Sequence, residues 1–266
     1  MNLLWKEDYH IHTKRCKHAT GEMEEYVEQA IKSGFKEIAF TDHIPLPDRF
    51  DIAHRMDLSE LESYVSDVYR LQRSYSEIKI ILGIEADFID GMERYLENIF
   101  MSFPFEVRIL SVHFLAHWPE GNWVFKYNFP NKSLRQIYSE YLQSVNRGIE
   151  TGFFNIVGHL DLIKQRHVSL LRDNENEVRE IFKGAADKKM AIEINTSGLR
   201  KPIKETYPNL AFLPLIAAYG LPVTLGSDAH APDQVGFAFD EIGEKVLRQK
   251  GLHKGRVLHG KIESTV

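Results

Sequence analysis

The sequence predicts an α/β fold in which a parallel sheet closes, or nearly closes, into a barrel of about seven βα units. Short apolar runs alternate along the chain with longer segments of helical period, which is the pattern of repeated βα units. A length of 266 residues fits a barrel of that size and is enough to bury a sizeable core. Because no low-complexity linker or charge block divides the chain, residues 1–266 are expected to form a single domain.

Seven of the short apolar runs are predicted to be the strands of this sheet. Each run is composed of residues that favour strands and is bounded by residues that favour turns. In chain order the predicted strands are Asp8–Ile11, Glu37–Thr41, Ile80–Ile84, Val107–Val112, Ile156–Gly158, Ala191–Asn195 and Val223–Gly226.

Helices are predicted between the strands, where apolar residues recur with a period of 3.6. One apolar stripe begins at Met23, and Gly34 follows it where a left-handed C-terminal cap is expected. A second helix is predicted to open with a capping box formed by Ser59 and Glu62. Further helices are predicted at about 133–150, 174–188 and 209–219.

Composition and charge narrow the class of protein. The net charge of −5 argues against a general nucleic-acid binder, since affinity for the phosphate backbone comes mainly from Lys and Arg. The most apolar stretch, residues 211–226, is interrupted by proline and glycine and is too short to span a membrane. The single cysteine, Cys16, excludes an internal disulfide, and charges stand where a signal peptide would need an apolar core, so a cytoplasmic location is expected.

Polar side chains stand at the carboxyl end of every predicted strand. In a parallel barrel these strand ends and the loops after them form the face that carries the functional site. All seven strands therefore deliver a polar residue to one rim: His10 and His12, Asp42 and His43, Glu85, His113, His159, Asn195, and Asp228 and His230.

This pattern indicates a metal site. Seven of the twelve histidines, including His18 in the loop after the first strand, would meet there with two carboxylates, and so many titratable groups are costly to bury together unless they bind metal. Alternate residues of a strand point the same way, so His10 and His12 can grip one ion side by side. Nitrogen and carboxylate ligands together suit Zn, Mn or Fe, and the choice among them stays open.

The remaining histidines and the cysteine fall outside this pattern. Cys16 is interpreted as a bystander thiol rather than a ligand. His117 lies in a loop leaving the fourth strand, where it could touch a substrate. The other four are interpreted as structural or surface residues: His54, His167, His253 and His259.

A family resemblance covers most of the chain. The residues resemble, in order, the motifs of the polymerase and histidinol phosphatase (PHP) superfamily: His10-x-His12, His18, Asp42-His43, Glu85, Ser111-Val112-His113, Gly158-His159 and Ser227-Asp228-Ala229-His230. Other motifs narrow the resemblance to the monofunctional histidinol-phosphatases of histidine biosynthesis: Thr41-Asp42-His43, Gly83-Ile84-Glu85-Ala86-Asp87, Gly158-His159-Leu160-Asp161-Leu162 and, most specifically, residues 194–202, INTSGLRKP.

This resemblance implies a distorted (β/α)7 TIM-like barrel with three divalent ions, Zn, Mn or Fe, at the strand ends. Transferred by position, one ion would be held by His10, His12, Glu85 and Asp228. Glu85 would bridge to a second ion, held with His113 and His159. The third ion would be held by His18, His43 and His230.

The resemblance further implies hydrolysis of L-histidinol phosphate to L-histidinol and phosphate by a hydroxide that bridges the ions. A cationic side chain is expected to bind the phosphate, and Arg200 is favoured over Arg55 and Lys164 because a guanidinium fork suits phosphate oxygens. Asp42 or His43 could donate a proton to the leaving group, and Asp42 is preferred because His43 would be unavailable if it binds metal. The metal-holding carboxylates Glu85 and Asp228 complete the expected catalytic set.

The organic part of such a substrate carries an ammonium and an imidazole, so its pocket should offer a carboxylate and an aromatic or polar wall. Five residues lie on suitable loops and are left unranked: Asp161, Glu205, Phe114, His117 and Trp118. The expected partner is a small phosphate ester rather than nucleic acid or membrane, and the oligomeric state stays open.

Three other functions remain as alternatives. A metal phosphoesterase of the same superfamily could act on a nucleotide or another small phosphate ester. A metal amidohydrolase also begins with His-x-His, but the additional histidines 18, 43 and 230 count against it. A non-catalytic metal-binding module would keep the ligands without turnover, and the loop that carries Arg200 speaks weakly against it.

Overall fold

The computed structural model describes residues 5–124, 129–165 and 174–265. Its strands are β1 (Glu7–Ile11), β2 (Glu37–Phe40), β3 (Lys79–Asp87), β4 (Val107–Ser111), β5 (Phe114–Leu115), β6 (Asn122–Trp123), β7 (Ile156–Val157), β8 (Ala191–Asn195), β9 (Pro222–Gly226), β10 (His253–Leu258) and β11 (Lys261–Thr265). Its α-helices are α1 (Met23–Lys32), α2 (Leu61–Ser74), α3 (Glu93–Ser102), α4 (Leu134–Glu150), α5 (Glu175–Asp187), α6 (Leu213–Ala218) and α7 (Phe239–Arg248).

The main sheet is parallel and nearly closed. Its strand order is β1-β2-β3-β4-β7-β8-β9-β10-β11, with parallel pairing from β1 to β10 and an antiparallel hairpin at the end. The first and seventh of the predicted strands, β1 and β9, meet where Ile11 bridges to Ala229, and the N–H of His12 donates to the carbonyl of Ala229 at 2.9 Å. The predicted α/β fold with a parallel sheet is confirmed.

Apolar side chains fill the barrel interior below the functional rim. Tyr9, Ile81 and Ile109 belong to this inner cluster, and Val257 of β10 packs into it from the closing hairpin. The hydroxyl of Tyr9 donates to Oε1 of Glu37 at 2.9 Å and accepts from the N–H of Val257 at 3.2 Å. Because side chains pack and bury this end of the barrel in the described part of the chain, the barrel interior has no open space there.

A β-bulge in β1 places two consecutive side chains inside the barrel. Glu7 and Asp8 pair with β2 in regular register, but the register shifts before Ile11, so Tyr9 and His10 share one position opposite β2. Bulges of this kind re-aim a side chain beside a functional site. Here Tyr9 fills the inner core while His10 reaches the rim.

Several predicted elements need correction. β3 continues through Asp87, so Glu85 lies within the strand rather than after it. The capping box before α2 is formed by Asp57 and Glu60, two residues earlier than predicted. The helix predicted at 209–219 is a short 3-10 turn followed by α6. Four further elements were not predicted from sequence: α3, α7 and the two hairpins, β5–β6 and β10–β11.

Every strand except those of the β5–β6 pair belongs to one sheet within the described residues. The single domain nevertheless stays a prediction. None of the helices in the described part of the chain combines the length and the apolar composition needed to cross a membrane.

Candidate metal centre

The structure brings the nine predicted ligands to one rim of the barrel. Nε2 of His10 and Nε2 of His12 lie 3.1 Å apart, as expected for side chains that project from alternate positions of a strand. Oδ1 of Asp228, which follows β9, lies 3.2 Å from Nε2 of His12 and 3.8 Å from Nε2 of His10. These three side chains have donor atoms close enough together to hold one ion.

Glu85 occupies the centre of the group. Its Oε2 lies 2.9 Å from Nδ1 of His43, 3.3 Å from Nε2 of His12 and 3.4 Å from Nε2 of His10. Its Oε1 lies 2.8 Å from Nε2 of His159 and 3.9 Å from Nε2 of His113. The two oxygens of one carboxylate therefore face two different sets of imidazoles, which is the geometry of a bridging ligand.

A further set of imidazoles lies toward the solvent. The ring of His230 stacks on His12 with centroids 4.3 Å apart and lies 4.6 Å from the ring of His18. His43 is close as well, since its ring centroid is 4.5 Å from that of His12. Cys16, interpreted from sequence as a bystander, has its sulfur within 4.8 Å of donor atoms of His18 and His230.

Two buried carboxylates that were not predicted as site residues orient the ligands. Oε1 of Glu193 lies 2.6 Å from Nδ1 of His10, and its Oε2 accepts from the N–H of His159 at 2.8 Å. Asp87 accepts from both the N–H and the Nδ1 of His113 at 2.9 Å. Carboxylates of this kind fix the ring orientation and tautomer of a metal-binding histidine.

A sequence signal for these two residues exists. Glu85 and Asp87 are two residues apart in β3, and Glu193 and Asn195 are two residues apart in β8. Alternation along a strand places each pair on the same side of the sheet. A polar side chain two residues before or after a polar residue at a strand end is therefore a candidate for orienting a nearby metal ligand.

Asp228 is held in a conformation that few non-glycine residues adopt. Its φ is 51°, in the left-handed region that costs an L-residue roughly 1 kcal/mol or more. Ser197 Oγ donates to its Oδ2 at 3.0 Å, and Nδ2 of Asn195 lies 3.4 Å from the same atom. Such strain is typical of functional sites, where the surrounding contacts stabilise it.

The carboxylates are ionised despite their burial. Burial acts to raise the pKa of Glu85, but the imidazoles of His43 and His10 outweigh it and hold the pKa well below its usual range. Burial acts in the same way on Asp228, whose pKa is also held well below its usual range, first by His10 and then by His12. Both groups therefore carry the negative charge that a cation requires.

Burial keeps several of the imidazoles neutral. It lowers the pKa of His43 well below its ordinary value and that of His230 to about 3. His10 differs: burial acts to lower its pKa, but the carboxylates of Glu193 and Glu85 outweigh it and raise the pKa well above normal. Neutral imidazoles can donate a lone pair to a metal, and a cation beside His10 would take the place of its proton.

Buried polar atoms without hydrogen bonds indicate that the site is built for cations. Among the described residues, no hydrogen bond of normal geometry reaches Oε2 of Glu85, nor Nδ1 of His12, His43 or His159. An unsatisfied buried polar atom costs roughly 1–3 kcal/mol, more when charged. The mixture of imidazole and carboxylate donors fits Zn, Mn or Fe better than Mg or Ca, which prefer oxygen.

Comparison with known proteins identifies the family. The model of the PHP domain matches residues 8–197, and the model of the PHP-associated region matches residues 209–252. The chain belongs to the PHP family. The predicted superfamily is thereby confirmed: the first match contains seven of the nine proposed ligands, and the second contains the other two, Asp228 and His230.

Several proteins similar to this chain are named as histidinol-phosphatases. A probable histidinol-phosphatase of Deinococcus radiodurans is 34% identical over 96% of this chain and 98% of its own length. The histidinol-phosphatase of Bacillus subtilis is 29% identical over 91% of this chain and its full length. A crystal structure of histidinol phosphate phosphatase from Lactococcus lactis, complexed with zinc, L-histidinol and phosphate, has a TM-score of 0.82 at 23% identity and covers 97% of this chain and 98% of its own.

A cavity of about 220 Å³ opens onto the cluster of proposed ligands in this PHP protein. Residues from several loops and strands line it: His18, His43, His54, Arg55, Glu85, His113, Trp123, His159, Leu162, Lys201, Asp228 and His230. Of the residues predicted to bind substrate, Arg55 lines this cavity. Lys164, Arg200, Glu205 and His117 do not.

The structure places Asp42 away from the cavity. Its side chain is fully buried, Oδ1 accepts from the N–H of Thr13 at 3.0 Å, and Oδ2 accepts from the hydroxyl of Thr13 at 2.5 Å. Asp42 does not line the cavity, and its Oδ1 lies 3.8 Å from Nδ1 of the proposed ligand His12. Its bonds to Thr13 anchor the loop after β1, and its role as the acid stays a prediction.

Other substrate candidates form contacts outside the cavity. Lys164 pairs with Asp161 at 2.9 Å and with Glu205 at 3.3 Å, so its ammonium is already engaged by two carboxylates. His117 is exposed, and its Nδ1 bonds to the carbonyl of Trp118 at 2.7 Å. These positions depend on how loops fold back, which local sequence does not reveal.

Two aromatic residues on the cavity wall were not predicted to belong to the site. Trp123 comes from the β5–β6 hairpin, and His54, interpreted from sequence as structural, comes from the loop before α2. Their rings meet edge to face with centroids 5.0 Å apart. Nδ1 of His54 is held by Oδ1 of Asp51 at 2.6 Å. His167 lies outside the described residues.

Proposed function

We propose that this protein is a metal-dependent phosphomonoesterase that hydrolyses L-histidinol phosphate to L-histidinol and phosphate in histidine biosynthesis. One observation carries the proposal: Glu85 lies within 4 Å of five imidazoles contributed by four different strand ends, with Asp228 beside them. Membership of the PHP family and the names of its similar members support the choice of substrate.

We propose three divalent ions, each of Zn, Mn or Fe. His10, His12, Glu85 and Asp228 would hold the first, Glu85 with His113 and His159 the second, and His18, His43 and His230 the third. Bound ions of this kind supply positive charge and Lewis acidity, which acidify water and polarise a phosphate ester. Three divalent ions bring about +6 against about −2 from the two carboxylates, which allows an acidic protein to attract a phosphate dianion.

The chain's own residues orient the ligands and shape the pocket. Glu193 and Asp87 hold the rings of His10 and His113 so that their other nitrogens face Glu85. Trp123 and His54 provide an aromatic wall for the imidazole of the substrate, since planar rings stack or meet edge to face over such distances. We also propose that residues 1–266 act as one domain in the cytoplasm.

A panel of phosphate esters tests the substrate. With released phosphate as the readout, L-histidinol phosphate should have the highest kcat/KM, ahead of nucleotides and simple sugar phosphates. A preference for nucleotides would favour the alternative PHP phosphoesterase. Bound metal without turnover on any ester would favour a non-catalytic module.

A further inference from the structure

The basic residues around the cavity differ in how far their charges are already neutralised. The guanidinium of Arg55 is buried and bonds to Asp51 at 3.0 Å, Asp87 at 3.1 Å and the carbonyl of Ile44 at 2.9 Å. It lines the cavity, but two carboxylates neutralise its single positive charge. Arg55 therefore forms part of the pocket wall and helps to orient Asp87.

Arg200 is also engaged by its neighbours. Its Nη2 donates to the carbonyls of Ser227 and Asp228, both at 2.9 Å, and its guanidinium lies over the ring of Phe237. Its Nη1 is buried and has no hydrogen-bond partner among the described residues. The side chain thus braces the loop after β9 that carries Asp228, and it is not part of the cavity wall.

The next residue, Lys201, faces the cavity. It lines the wall together with Asp228 and His230 and is half-buried. Within the described residues its ammonium makes no ion pair, and Nζ lies 5.5 Å from the centroid of the Tyr207 ring.

A tight turn sets the direction of Lys201. The 3-10 turn Ser197–Arg200 ends at this residue, whose N–H donates to the carbonyl of Gly198 at 3.1 Å. A Cβ on Gly198 would lie 2.1 Å from the carbonyl oxygen of Glu205 and 2.8 Å from the ring of Tyr207, so only glycine permits this packing. The turn is therefore fixed directly against the ring over which Lys201 lies.

We propose that Lys201 is the side chain that binds the phosphate of the substrate, with its ammonium donating to a phosphate oxygen above Asp228 and His230. This inference rests on the proposed function and names a residue of its binding site. A lysine ammonium is a compact charge on a flexible stem, which suits an anion held mainly by other cations. It carries the positive charge that was predicted for Arg200.

The test compares variants of one loop in the metal-loaded protein. Lys201→Met removes the charge, Lys201→Arg keeps it, and Lys204→Met removes an exposed charge three residues away as a control. The inhibition constants of inorganic phosphate and of L-histidinol are measured for each, together with KM for L-histidinol phosphate and the metal content.

Lys201→Met should raise KM and the inhibition constant of phosphate about tenfold to a hundredfold, as expected for loss of a hydrogen bond to a charged group. The constant for L-histidinol and the metal content should not change. Lys201→Arg should recover most of the loss, and Lys204→Met should behave as the unmodified protein. An unchanged inhibition constant of phosphate in Lys201→Met overturns the proposal. A further variant, Arg200→Lys, also overturns it if this constant rises in Arg200→Lys and not in Lys201→Met.

The proposal can fail independently of the proposed function. If the unmodified protein does not hydrolyse L-histidinol phosphate, the proposed function fails. Calorimetric titration with inorganic phosphate needs no turnover, so it can still compare the unmodified protein with Lys201→Met. Weaker phosphate binding by Lys201→Met would then support the assignment of Lys201, and equal binding would contradict it.

Discussion

Oε1 of Glu193 accepts a hydrogen bond of 2.6 Å from Nδ1 of His10, and both side chains are almost completely buried. The other oxygen of the same carboxylate accepts the N–H of His159 at 2.8 Å. One residue of β8 thereby fixes ligands that come from β1 and from the end of β7. Carboxylates that orient metal-binding histidines in this way contribute to metal affinity, and Glu193 has that position for two of the proposed ligands.

Glu193→Gln should weaken metal binding by about tenfold to a hundredfold. The neutral amide binds Nδ1 of His10 less strongly than the carboxylate does, and the negative charge beside that ring is lost. Competition with a chromogenic chelator measures the affinity directly. Glu37→Gln is the matched control, since Glu37 is equally buried but contacts Tyr9 and Arg256 in the lower part of the barrel. It should lower the free energy of unfolding and leave metal affinity unchanged. Equal metal affinity in both variants would show that Glu193 does not support metal binding.

Gly226→Ala should disturb the same contact. A Cβ at this position would lie 1.9 Å from Oε1 of Glu193 and 2.9 Å from Cβ of His10. We expect a loss of about 1–3 kcal/mol in the free energy of unfolding, together with weaker metal binding. Gly243→Ala in α7 is the control: its new Cβ would meet nothing closer than 3.6 Å, so the better helix former should stabilise by up to about 1 kcal/mol. Urea titration measures whether the free energy of unfolding falls in Gly226→Ala and rises in Gly243→Ala.

Asp8 should make stability depend on pH in an unusual direction. Burial raises its pKa to about 6, although the N–H groups of Ser227 and Gly236 act to lower it. A carboxyl whose pKa is higher in the folded chain binds its proton more tightly there. Its ionisation therefore costs stability above pH 6, and this cost disappears as the pH falls toward the ordinary aspartate value.

Asp8→Asn provides the reference that cannot titrate. Relative to this variant, the unmodified protein should gain free energy of unfolding as the pH falls from about 7.5 to about 4.5. Urea titrations of both proteins at the two pH values, with the same excess of metal, give the difference. A relative loss of stability at the lower pH would show that the pKa of Asp8 is not raised.

Trp123→Ala should weaken recognition of the organic part of the substrate. Trp123 lines the cavity and meets His54, so its removal opens the wall proposed to contact the imidazole. KM for L-histidinol phosphate and the inhibition constant of L-histidinol should both rise about tenfold, while that of inorganic phosphate stays constant. Trp118→Ala, which removes a ring that packs on Phe50 outside the cavity wall, should leave all three values unchanged. A rise confined to phosphate would contradict the proposed wall.

The sequence predicted the parts of the site that depend on strand periodicity. His10 and His12 were expected side by side, and their Nε2 atoms are 3.1 Å apart. Strand ends of a parallel sheet meet at one rim, so strand order alone is enough to place together residues as distant in sequence as Glu85 and Asp228.

Features that depend on loop geometry were not predictable in this way. Arg200 and Lys201 are adjacent in sequence, yet a 3-10 turn directs one to main-chain carbonyls and the other to the cavity. Trp123 reaches the site through a short hairpin. The carboxylate of Asp42 accepts hydrogen bonds from Thr13 and does not line the cavity. Nothing in the local pattern of charge or hydrophobicity distinguishes these outcomes.

The most direct test of the central claim is elemental analysis of the purified protein, followed by assay of the same sample with L-histidinol phosphate. We expect about three divalent ions per chain, loss of phosphate release after treatment with a strong chelator, and recovery when Zn or Mn is restored. A protein that releases phosphate at full rate with no bound metal would contradict it.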